Sequence, residues 1–278
     1  MARGAVVVTG ASTGIGEASA RHLVELGFDV YAGVRKDEDA ERLTGDNLRP
    51  LRLDVTDLAS VEAARAELAR HNAALHGLVN NAGIAVTGPL EFMPISELRR
   101  QLEVNVIGQV AVIQAFLPAL RQGHGRIVNI SSIGGRVALP LAGPYAASKF
   151  ALEGLSDSLR RELRSQGILV SLVEPGGVKT PIWEKGSAAA DTLLAQMPDE
   201  GEQRYRTLIQ ALRRESQKIA TDRGLPPQAV AVAVGKALTA SRPRTRYLVG
   251  RDAKLRARAA RLLPDRVMDA LIDRALSD

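Results

Sequence analysis

Short apolar runs alternate with longer amphipathic stretches from residue 5 to about residue 173. The runs are rich in Val, Ile and Leu, as is typical of parallel strands buried on both faces. The amphipathic stretches repeat apolar residues every three to four positions, which predicts helices. This alternation predicts an α/β protein with a doubly wound parallel sheet flanked by helices. The predicted strands are Ala5–Thr9, Phe28–Val34, Leu51–Val55, Leu75–Val79, Gly125–Ile130, Ile168–Val173 and Thr245–Val249.

The predicted helices fill the intervals and extend beyond the sixth strand. They are Glu17–Leu26, Leu58–Arg70 with Asp57 as its cap, Ser96–Leu120, Tyr145–Arg164, Arg204–Ala220 and Gln228–Thr239. We expect residues 178–202 to be irregular and residues 178–225 to form the loops and helices that bind substrate. Residues 251–278 predict a basic helical extension, broken near Pro264. Because no internal repeat or linker is visible, residues 1–278 are predicted to form a single domain.

The first predicted strand runs directly into the glycine-rich segment Gly10–Gly16, and a predicted helix follows it. Glycine lets a backbone approach a ligand closely, and the free N–H groups and positive end of a helix attract an anion. A strand, a glycine turn and a helix in this order therefore predict a site for the phosphates of a dinucleotide. The T-G-x-x-x-G-x-G spacing differs from the G-x-G-x-x-G of other dinucleotide folds.

The end of the second strand bears on the choice between NAD and NADP. In NAD-binding versions of such a sheet, an acidic side chain near this point bonds the ribose 2′-hydroxyl. Here Val34 occupies that place, and Arg35 and Lys36 follow it. Because a guanidinium suits a 2′-phosphate better than a hydroxyl, the sequence favours NADP(H) over NAD(H). The alternative is that Arg35 and Lys36 only begin a solvated loop.

Tyr145 and Lys149 stand four residues apart at the start of a predicted long helix, so their side chains share one helical face. A phenol with a pKa near ~10 is a poor acid–base catalyst at neutral pH. A nearby ammonium favours the phenolate, so we expect Lys149 to lower the pKa of Tyr145. Taken alone, the pair is weak evidence, and a surface tyrosine beside a solvated lysine is the favoured interpretation.

Composition argues against several other kinds of site. The chain has no Cys, which removes disulfides and thiolate metal ligands, and its four His lack the spacing of a zinc pair. We therefore predict no metal site. No run approaches the ~18 uninterrupted apolar residues of a membrane span, and the N-terminus enters a strand too soon for a signal peptide. These features predict a cytoplasmic protein.

The net charge of +6 originates in the C-terminal region. Residues 236–278 hold eleven Lys and Arg against five Asp, so the rest of the chain is balanced. No recognition motif accompanies this charge, and nucleic acid is not an expected partner. The basic extension is compatible with a helix that lies on a membrane surface. A subunit-contact or solvated helix is the favoured interpretation.

Together these motifs resemble those of the short-chain dehydrogenase/reductase family over residues 4–250. The family's active serine stands thirteen residues before its tyrosine, which selects Ser132 from the Ser131–Ser132 pair. The resemblance implies a Rossmann-type sheet and an NAD(P)-dependent oxidoreductase. The matching motifs are Thr9-Gly10-x-x-x-Gly14-x-Gly16, Asn80-Asn81-Ala82-Gly83, Asn105, Ser132, Tyr145-x-x-x-Lys149 and Pro175-Gly176.

The resemblance also implies a role for each catalytic residue. Ser132 would hold the substrate oxygen as charge shifts during hydride transfer. Tyr145 would give that oxygen a proton in reduction or take one in oxidation. Lys149 would lower the pKa of the tyrosine and bond the nicotinamide ribose hydroxyls. Asn105 would anchor a water molecule that joins the lysine to solvent.

The cofactor contacts that the resemblance implies follow the carboxyl ends of the strands. Asp54 would lie near the adenine, Asn81 and Gly83 on the adenosine side, and Thr180 near the nicotinamide amide. The full set comprises Gly10, Ser12, Thr13, Gly14, Ile15, Gly16, Arg35, Asp54, Val55, Asn81, Ala82, Gly83, Tyr145, Lys149, Pro175, Gly176, Val178 and Thr180.

A looser similarity, in residues 30–35 and 246–250, is to the branch that includes retinol, 17β-hydroxysteroid and hydroxybutyrate dehydrogenases. That branch handles mostly apolar alcohols and ketones. The predicted substrate site combines Ser132 and Tyr145 with the apolar residues Leu139, Ile182 and Trp183, which suits a small steroid-, retinoid- or lipid-like molecule. The alternatives are ordinary core packing of these apolar residues and a catalytically silent, cofactor-binding or scaffold protein on the same fold.

Family members are commonly homodimers or homotetramers, paired through the helices that hold Asn105 and Tyr145. An apolar face for such pairing is predicted from both helices. Its residues are Ala111, Val112, Ala115, Phe116, Ala151, Leu152, Leu155 and Leu159.

Overall fold

The computed structural model describes residues 3–71 and 74–277. Within them, seven strands form one sheet in the order β3-β2-β1-β4-β5-β6-β7, and every neighbouring pair is parallel. The predicted doubly wound α/β sheet is therefore confirmed. The strands are β1 Ala5–Val8, β2 Asp29–Val34, β3 Leu48–Arg52, β4 Leu75–Asn80, β5 Arg126–Ile130, β6 Leu169–Pro175 and β7 Arg246–Val249.

The helices connect the strands and then extend beyond the sheet. Asp57 caps the third of them, accepting a hydrogen bond of 2.9 Å from the Ala59 N–H. The helices are α1 Gly14–Glu25, α2 Asp37–Arg42, α3 Leu58–Arg70, α4 Ile95–Leu102, α5 Gly108–Gln122, α6 Gly143–Leu163, α7 Ile182–Leu194, α8 Asp199–Lys218, α9 Pro227–Thr239, α10 Arg251–Leu262 and α11 Asp265–Ser277.

Both faces of the sheet are buried, which explains the continuous apolar runs. In β1, Val6 and Val8 pack in the layer formed with α1 and α9, whereas Ala5 and Val7 pack in the layer formed with α3 and α5. All four side chains are buried. Since alternate residues of a strand point to opposite faces, a strand such as β1 has apolar residues at every position. Polar groups that act on a ligand are therefore confined to the strand ends.

The third strand lies three residues before its predicted position at Leu51–Val55. It pairs with β2 from Leu48 to Arg52, and it contains Pro50. This strand is at the edge of the sheet, where a missing N–H donor is tolerated. The proline conceals the strand in the sequence, because proline ordinarily argues against one.

The region after β6 is more helical than its sequence predicted. Residues 182–194, expected to be irregular, form α7, and α8 begins at Asp199 instead of Arg204. Pro181 and Pro198 precede these helices, a position in which proline helps a helix begin. The predicted break near Pro264 is confirmed, since it separates α10 from α11.

The predicted helix Ser96–Leu120 is two helices joined by the π-helical turn Glu103–Ile107. Within the combined segment Ile95–Gln122, an 18-residue window has a mean hydropathy of 1.4, so by length and composition alone this helix could cross a membrane, contrary to the sequence expectation. Its α5 part nevertheless packs on the sheet through a buried side. A buried apolar face of this kind is typical of the core helix of a globular domain.

The predicted pairing face on α5 and α6 is partly wrong. Val112, Phe116 and Leu152 are at most 2% exposed and belong to the core of this chain, so they cannot meet a partner. The large apolar side chains that these segments do present outward include Ile107, Phe150 and Leu155. Helical periodicity reveals an apolar stripe but does not say which neighbour covers it.

A buried ionic cluster ties β6 and β7 to α6. Glu174 in β6 is completely buried and pairs with Arg136 Nη2 at 3.0 Å and with Arg246 Nε at 3.2 Å. Arg246 in β7 also pairs through Nη2 with Glu153 Oε2 at 3.1 Å and with Asp157 Oδ2 at 2.9 Å, both on α6. One guanidinium therefore compensates three carboxylates. Such a group is difficult to remove, because its partners would remain buried and charged.

We predict that Arg246→Met lowers the free energy of unfolding by about 3 to 5 kcal/mol, the usual loss when one partner of a buried ion pair is removed. Urea denaturation followed by circular dichroism measures this. Arg244→Met is the matched control, since Arg244 is exposed and lies two residues earlier; it should change the stability little. Equal stability of the two variants would contradict the assigned role of Arg246.

Candidate active site

The glycine loop is held by side chains from the neighbouring strand end. The Asn81 amide Nδ2 donates to the carbonyl oxygens of Thr9 at 2.9 Å and of Gly10 at 3.0 Å. The Thr9 hydroxyl oxygen in turn accepts from the backbone N–H groups of Asn81 and Ala82, both at 2.9 Å. These bonds join the ends of β1 and β4 where the strand order reverses, which is where doubly wound sheets bind ligands.

Three glycines give the loop its shape. Gly10 and Gly14 have φ angles of +61° and +60°, a region that favours glycine. A Cβ atom on Gly16 would lie only 2.2 Å from the Gly10 carbonyl oxygen, so this position has no room for a side chain. The Thr13 side chain caps none of the N–H groups that begin α1. The tight loop and the helix N-terminus together fit a pyrophosphate.

A cavity of about 1180 Å³ runs along the carboxyl ends of the strands. Its wall includes Arg35 and Asp54 as well as Ser132, Tyr145 and Lys149, so one continuous space joins the predicted adenosine and reaction sites. Of the predicted cofactor and substrate residues, all line the cavity except Gly14, which packs against Thr180, and Gly16, which packs against Gly10. The structure thus brings the predicted sites together, and the two exceptions shape the loop from behind.

The reacting side chains converge from β5 and α6. Ser132 follows the end of β5, accepts a hydrogen bond of 3.0 Å from the Gly134 N–H, and is hydrogen-bonded to Tyr145. A Cβ atom on Gly134 would lie 3.2 Å from the Tyr145 ring, so glycine gives the two side chains room to meet. Lys149 places its Nζ atom 5.8 Å from the centroid of that ring and donates to the Ile130 carbonyl oxygen at 2.8 Å.

Burial governs the pKa values of the tyrosine and the lysine. Desolvation raises the pKa of Tyr145, and the hydrogen bond with Ser132 opposes this only in part. The expected lowering of this pKa is therefore wrong for this structure, because desolvation of the phenol is the larger effect. Desolvation also lowers the pKa of Lys149 to about 8, although the nearby Glu153 carboxylate acts in the opposite direction. At neutral pH the tyrosine consequently holds its proton.

Asn105 stands behind the cavity and is completely buried. Its side-chain Oδ1 accepts from the Ile84 N–H at 2.9 Å, and its Nδ2 donates to the Ile84 carbonyl at 3.0 Å and to Ser148 Oγ at 3.1 Å. Since Ser148 precedes Lys149, these bonds tie the loop after β4 to the catalytic part of α6. The structure gives Asn105 a positioning role, and its predicted contact with water stays a prediction.

Known proteins with related sequences support the same assignment. The family model described as short chain dehydrogenase matches residues 4–191, more than half of the chain. The chain belongs to the short chain dehydrogenase family. The chain is therefore an oxidoreductase that uses NAD(P) to interconvert hydroxyl and carbonyl groups on small-molecule substrates.

Similar members of the family carry several names. The NADPH-dependent 3-dehydrocapnine reductase of Ornithobacterium rhinotracheale is 38% identical, with 95% of this chain and 94% of that protein covered. Retinol dehydrogenase 5 of Homo sapiens is 37% identical, with 96% and 87% covered. A short chain dehydrogenase/reductase from Burkholderia phymatum, solved in complex with NAD, superposes with a TM-score of 0.78 at 25% identity and 92% coverage of both chains.

Sequence reasoning missed part of the wall of this dehydrogenase cavity. Ile209 and Leu212 of α8 contribute apolar surface, and Arg251, Asp252 and Arg256 of α10 contribute charged groups. The apolar spacing in α8 was a usable signal for one inward face. No comparable signal existed for α10, whose composition resembles that of a solvated helix and which had been predicted only as a C-terminal extension.

The buried Lys149 ammonium is expected to lower the stability of the folded protein. Its folded-state pKa of about 8 lies below the ordinary value of 10.5, so the folded state binds the proton more weakly than the unfolded state does. The resulting loss of folding stability is complete below pH 8 and disappears as the pH rises towards 10.5. We predict that Lys149→Met stabilises the protein at pH 7 by about 2 kcal/mol, after allowance for the lost hydrogen bond to Ile130.

Urea denaturation between pH 7 and 9.5, with Lys236→Met as a control on an exposed lysine, measures this effect. The advantage of Lys149→Met over wild type should shrink above pH 8, and the control should show no such trend. A destabilised Lys149→Met protein at pH 7, or a difference that does not change with pH, would contradict the buried-ammonium interpretation.

Proposed function

We propose that this dehydrogenase interconverts a secondary alcohol and a ketone or aldehyde on an apolar, steroid-, retinoid- or lipid-like substrate, and that it prefers NADP(H). The observation that carries the proposal is the convergence of Ser132, Tyr145 and Lys149 on a cavity with a largely apolar wall. The similarity to a retinol dehydrogenase and to an NADPH-dependent reductase supports the same substrate class and cofactor.

The apolar part of the cavity supports an extended, hydrophobic substrate. Leu139 follows the turn after Ser132, and Trp183 of α7 lines the same cavity, with its indole N–H donating to the Val178 carbonyl at 2.7 Å. Ile209 and Leu212 of α8 add to the same wall. Because removal of apolar surface from water lowers the free energy of binding, such a wall favours a hydrocarbon skeleton over a hydrated sugar or amino acid.

In the proposed reaction, Ser132 donates a hydrogen bond to the substrate oxygen and stabilises the negative charge that develops there. Tyr145 gives its phenolic proton to that oxygen in reduction and takes it back in oxidation. The nicotinamide cofactor, when bound, supplies or accepts the hydride. Because burial raises the pKa of Tyr145, the phenol holds its proton at neutral pH, which is the protonation state from which reduction starts.

The charges near Arg35 support a preference for the 2′-phosphate. Its side chain is 72% exposed, and its contact with the Asp54 carboxylate is long, at 4.0 Å. The guanidinium can therefore turn towards a ligand at the cavity wall. Asp37 and Asp39, which follow in α2, are engaged by Arg52 at 3.3 Å and by Arg42 at 3.4 Å. Two of the four acidic side chains of α2 are thus engaged by arginines, and the exposed Arg35 guanidinium remains the cation at this end of the cavity.

We also propose that the active form is a homodimer or homotetramer. Ile107, Phe150 and Leu155 are 53%, 47% and 42% exposed on adjoining helical segments. Contact with a second copy would remove these side chains from water. The mass in solution, measured by light scattering, tests this directly, and a monomer at working concentration would exclude it.

Replacement of the tyrosine tests the catalytic proposal. We predict that Tyr145→Phe lowers kcat for ketone reduction by about a hundredfold or more, because the proton donor is lost, while NADPH affinity changes little. The assay follows NADPH absorbance with a panel of apolar ketones. Tyr205→Phe, the same chemical change on a tyrosine of α8 that does not line the cavity, is the control. Undiminished turnover in Tyr145→Phe would exclude the proposed role, and binding without turnover in wild type on every carbonyl tested would favour a cofactor-binding scaffold.

Cofactor preference tests the role of Arg35. We predict that wild type binds NADPH at least about tenfold more tightly than NADH, because one charge-assisted contact to the phosphate contributes roughly that much. Arg35→Ser should lose most of this preference, while Arg65→Ser, an equal change of charge on distant α3, should keep it. Fluorescence titration with each cofactor provides the measurement. Tighter binding of NADH by wild type would overturn the assignment.

A further inference from the structure

Helix α10 forms one wall of the substrate cavity. Ala253 and Ala257 are buried against Ile133, the residue that follows Ser132. On the adjacent stripe of the same helix, the Asp252 carboxylate accepts a hydrogen bond of 2.9 Å from the Gly177 N–H, just after β6. The helix is therefore fixed to two turns that border the reaction site. Side chains next to these contacts are directed into the cavity instead of into solvent.

Arg256 is the half-buried cation on this wall. It lies one helical turn after Asp252 and lines the same cavity as Ser132 and Tyr145. Within residues 3–71 and 74–277 it makes neither a hydrogen bond nor an ion pair. Arg251, at the start of the helix, also lines the cavity without such a partner. The nearby Asp252 carboxylate is bonded to the Gly177 N–H instead. A guanidinium that is partly withdrawn from water and makes no ion pair can gain from an anionic ligand.

Other arginines on the cavity wall differ from these two in being paired. Arg100 is bonded to Glu97 at 3.0 Å, Arg213 is paired with Asp191, and Arg223 lies 3.9 Å from Glu215. Charged side chains on the α8 side of the cavity are thus balanced within the protein. Apart from the catalytic Lys149, from Lys185 and from Arg35, whose contact with Asp54 is 4.0 Å long, the cavity-wall residues Arg251 and Arg256 of α10 are the cations without an ion pair in the described part of the chain. Both lie on the helix that packs against Ile133.

We propose that Arg256, assisted by Arg251, binds an anionic group of the substrate, so that the substrate is an amphiphile with an apolar chain, a reacting carbonyl or hydroxyl, and a carboxylate or a similar anion. The reacting oxygen lies at Ser132 and Tyr145, the chain lies against the apolar wall, and the anion meets the guanidinium of α10. This inference rests on the proposed function, because it concerns the substrate of the same site. The inference narrows the proposed substrate class from apolar molecules in general to apolar molecules that carry an anionic group.

The test uses a series of methyl-ketone carboxylic acids of increasing chain length, each beside its methyl ester. The ester is the more apolar molecule, so tighter binding of the acid has to come from its charge. Trp183 is the only tryptophan in the chain and lines the cavity, so its fluorescence reports occupancy. The titration is made with saturating NADP⁺, which prevents reduction of the ketone.

We predict that, at the best-fitting length, the acid binds wild type about tenfold or more tightly than its ester, the usual effect of one charge-assisted contact. Arg256→Gln should abolish this preference and leave ester binding unchanged. Arg258→Gln is the matched control, since Arg258 is exposed on the same helix and does not line the cavity; it should keep the preference. Added salt should reduce the preference in wild type.

Esters that bind as tightly as acids throughout the series would overturn the inference, as would a preference that survives in Arg256→Gln or a Trp183 signal that responds to no compound. Titration with NADPH and reduction of the esters separate this failure from failure of the proposed function. If NADPH binds and the esters are reduced without any preference for acids, the anionic subsite alone is wrong. If NADPH does not bind, the proposed function itself is wrong.

Discussion

The hydrogen bonds between Thr9 and Asn81 are the interaction on which the remainder of the site depends. They join the ends of two parallel strands from which the chain departs to opposite faces of the sheet. With both faces buried, this seam is where backbone and polar side chains can reach a ligand without breaking the core. The glycine loop, the N-terminus of α1 and the cavity wall all take their positions from it. A shift of either strand end would misplace all three together.

The catalytic lysine is part of a larger arrangement of buried charge. Glu153 lies one turn after Lys149 on α6, and the Arg246 guanidinium joins that carboxylate to Glu174 in β6. Desolvation raises the pKa of Glu153 and lowers that of Lys149, and the Glu153 carboxylate partly offsets the effect on the lysine. The groups that hold the last two strands together are therefore electrically connected to the groups that move protons. Stability and chemistry in this half of the protein are difficult to alter independently.

Much of the fold was readable because its signals are local. Apolar runs in β1 and β5, the glycine spacing of the loop and the interval between Ser132 and Tyr145 were each visible in a few residues. The failures arose where a property depends on distant parts of the chain. Pro50 argued against a strand that an edge position permits, and nothing near Tyr145 in the sequence reports how thoroughly its phenol is desolvated.

The same limit applied to the surfaces of helices. Periodicity identified apolar stripes on α5 and α6, but it could not tell that Val112 and Leu152 meet the core of their own chain. It also could not show that α10 turns Arg256 towards the cavity, because a basic helix has the same sequence pattern whether its arginines face water or a ligand. The tertiary fold determines which neighbour each helix face contacts. A short stretch of sequence does not contain this information, because it depends on distant parts of the chain.

Helix α10 lies far along the chain from Ile133, the residue it covers. During synthesis, the strands and loops that form the dinucleotide crevice emerge well before this helix does. The cavity wall that α10 forms is therefore complete only when this C-terminal helix packs against Ile133. Local opening of that one helix would admit water to the reacting groups while the sheet stays intact. Substitutions in its contact surface can thus alter selectivity in a protein that remains fully folded by spectroscopic criteria.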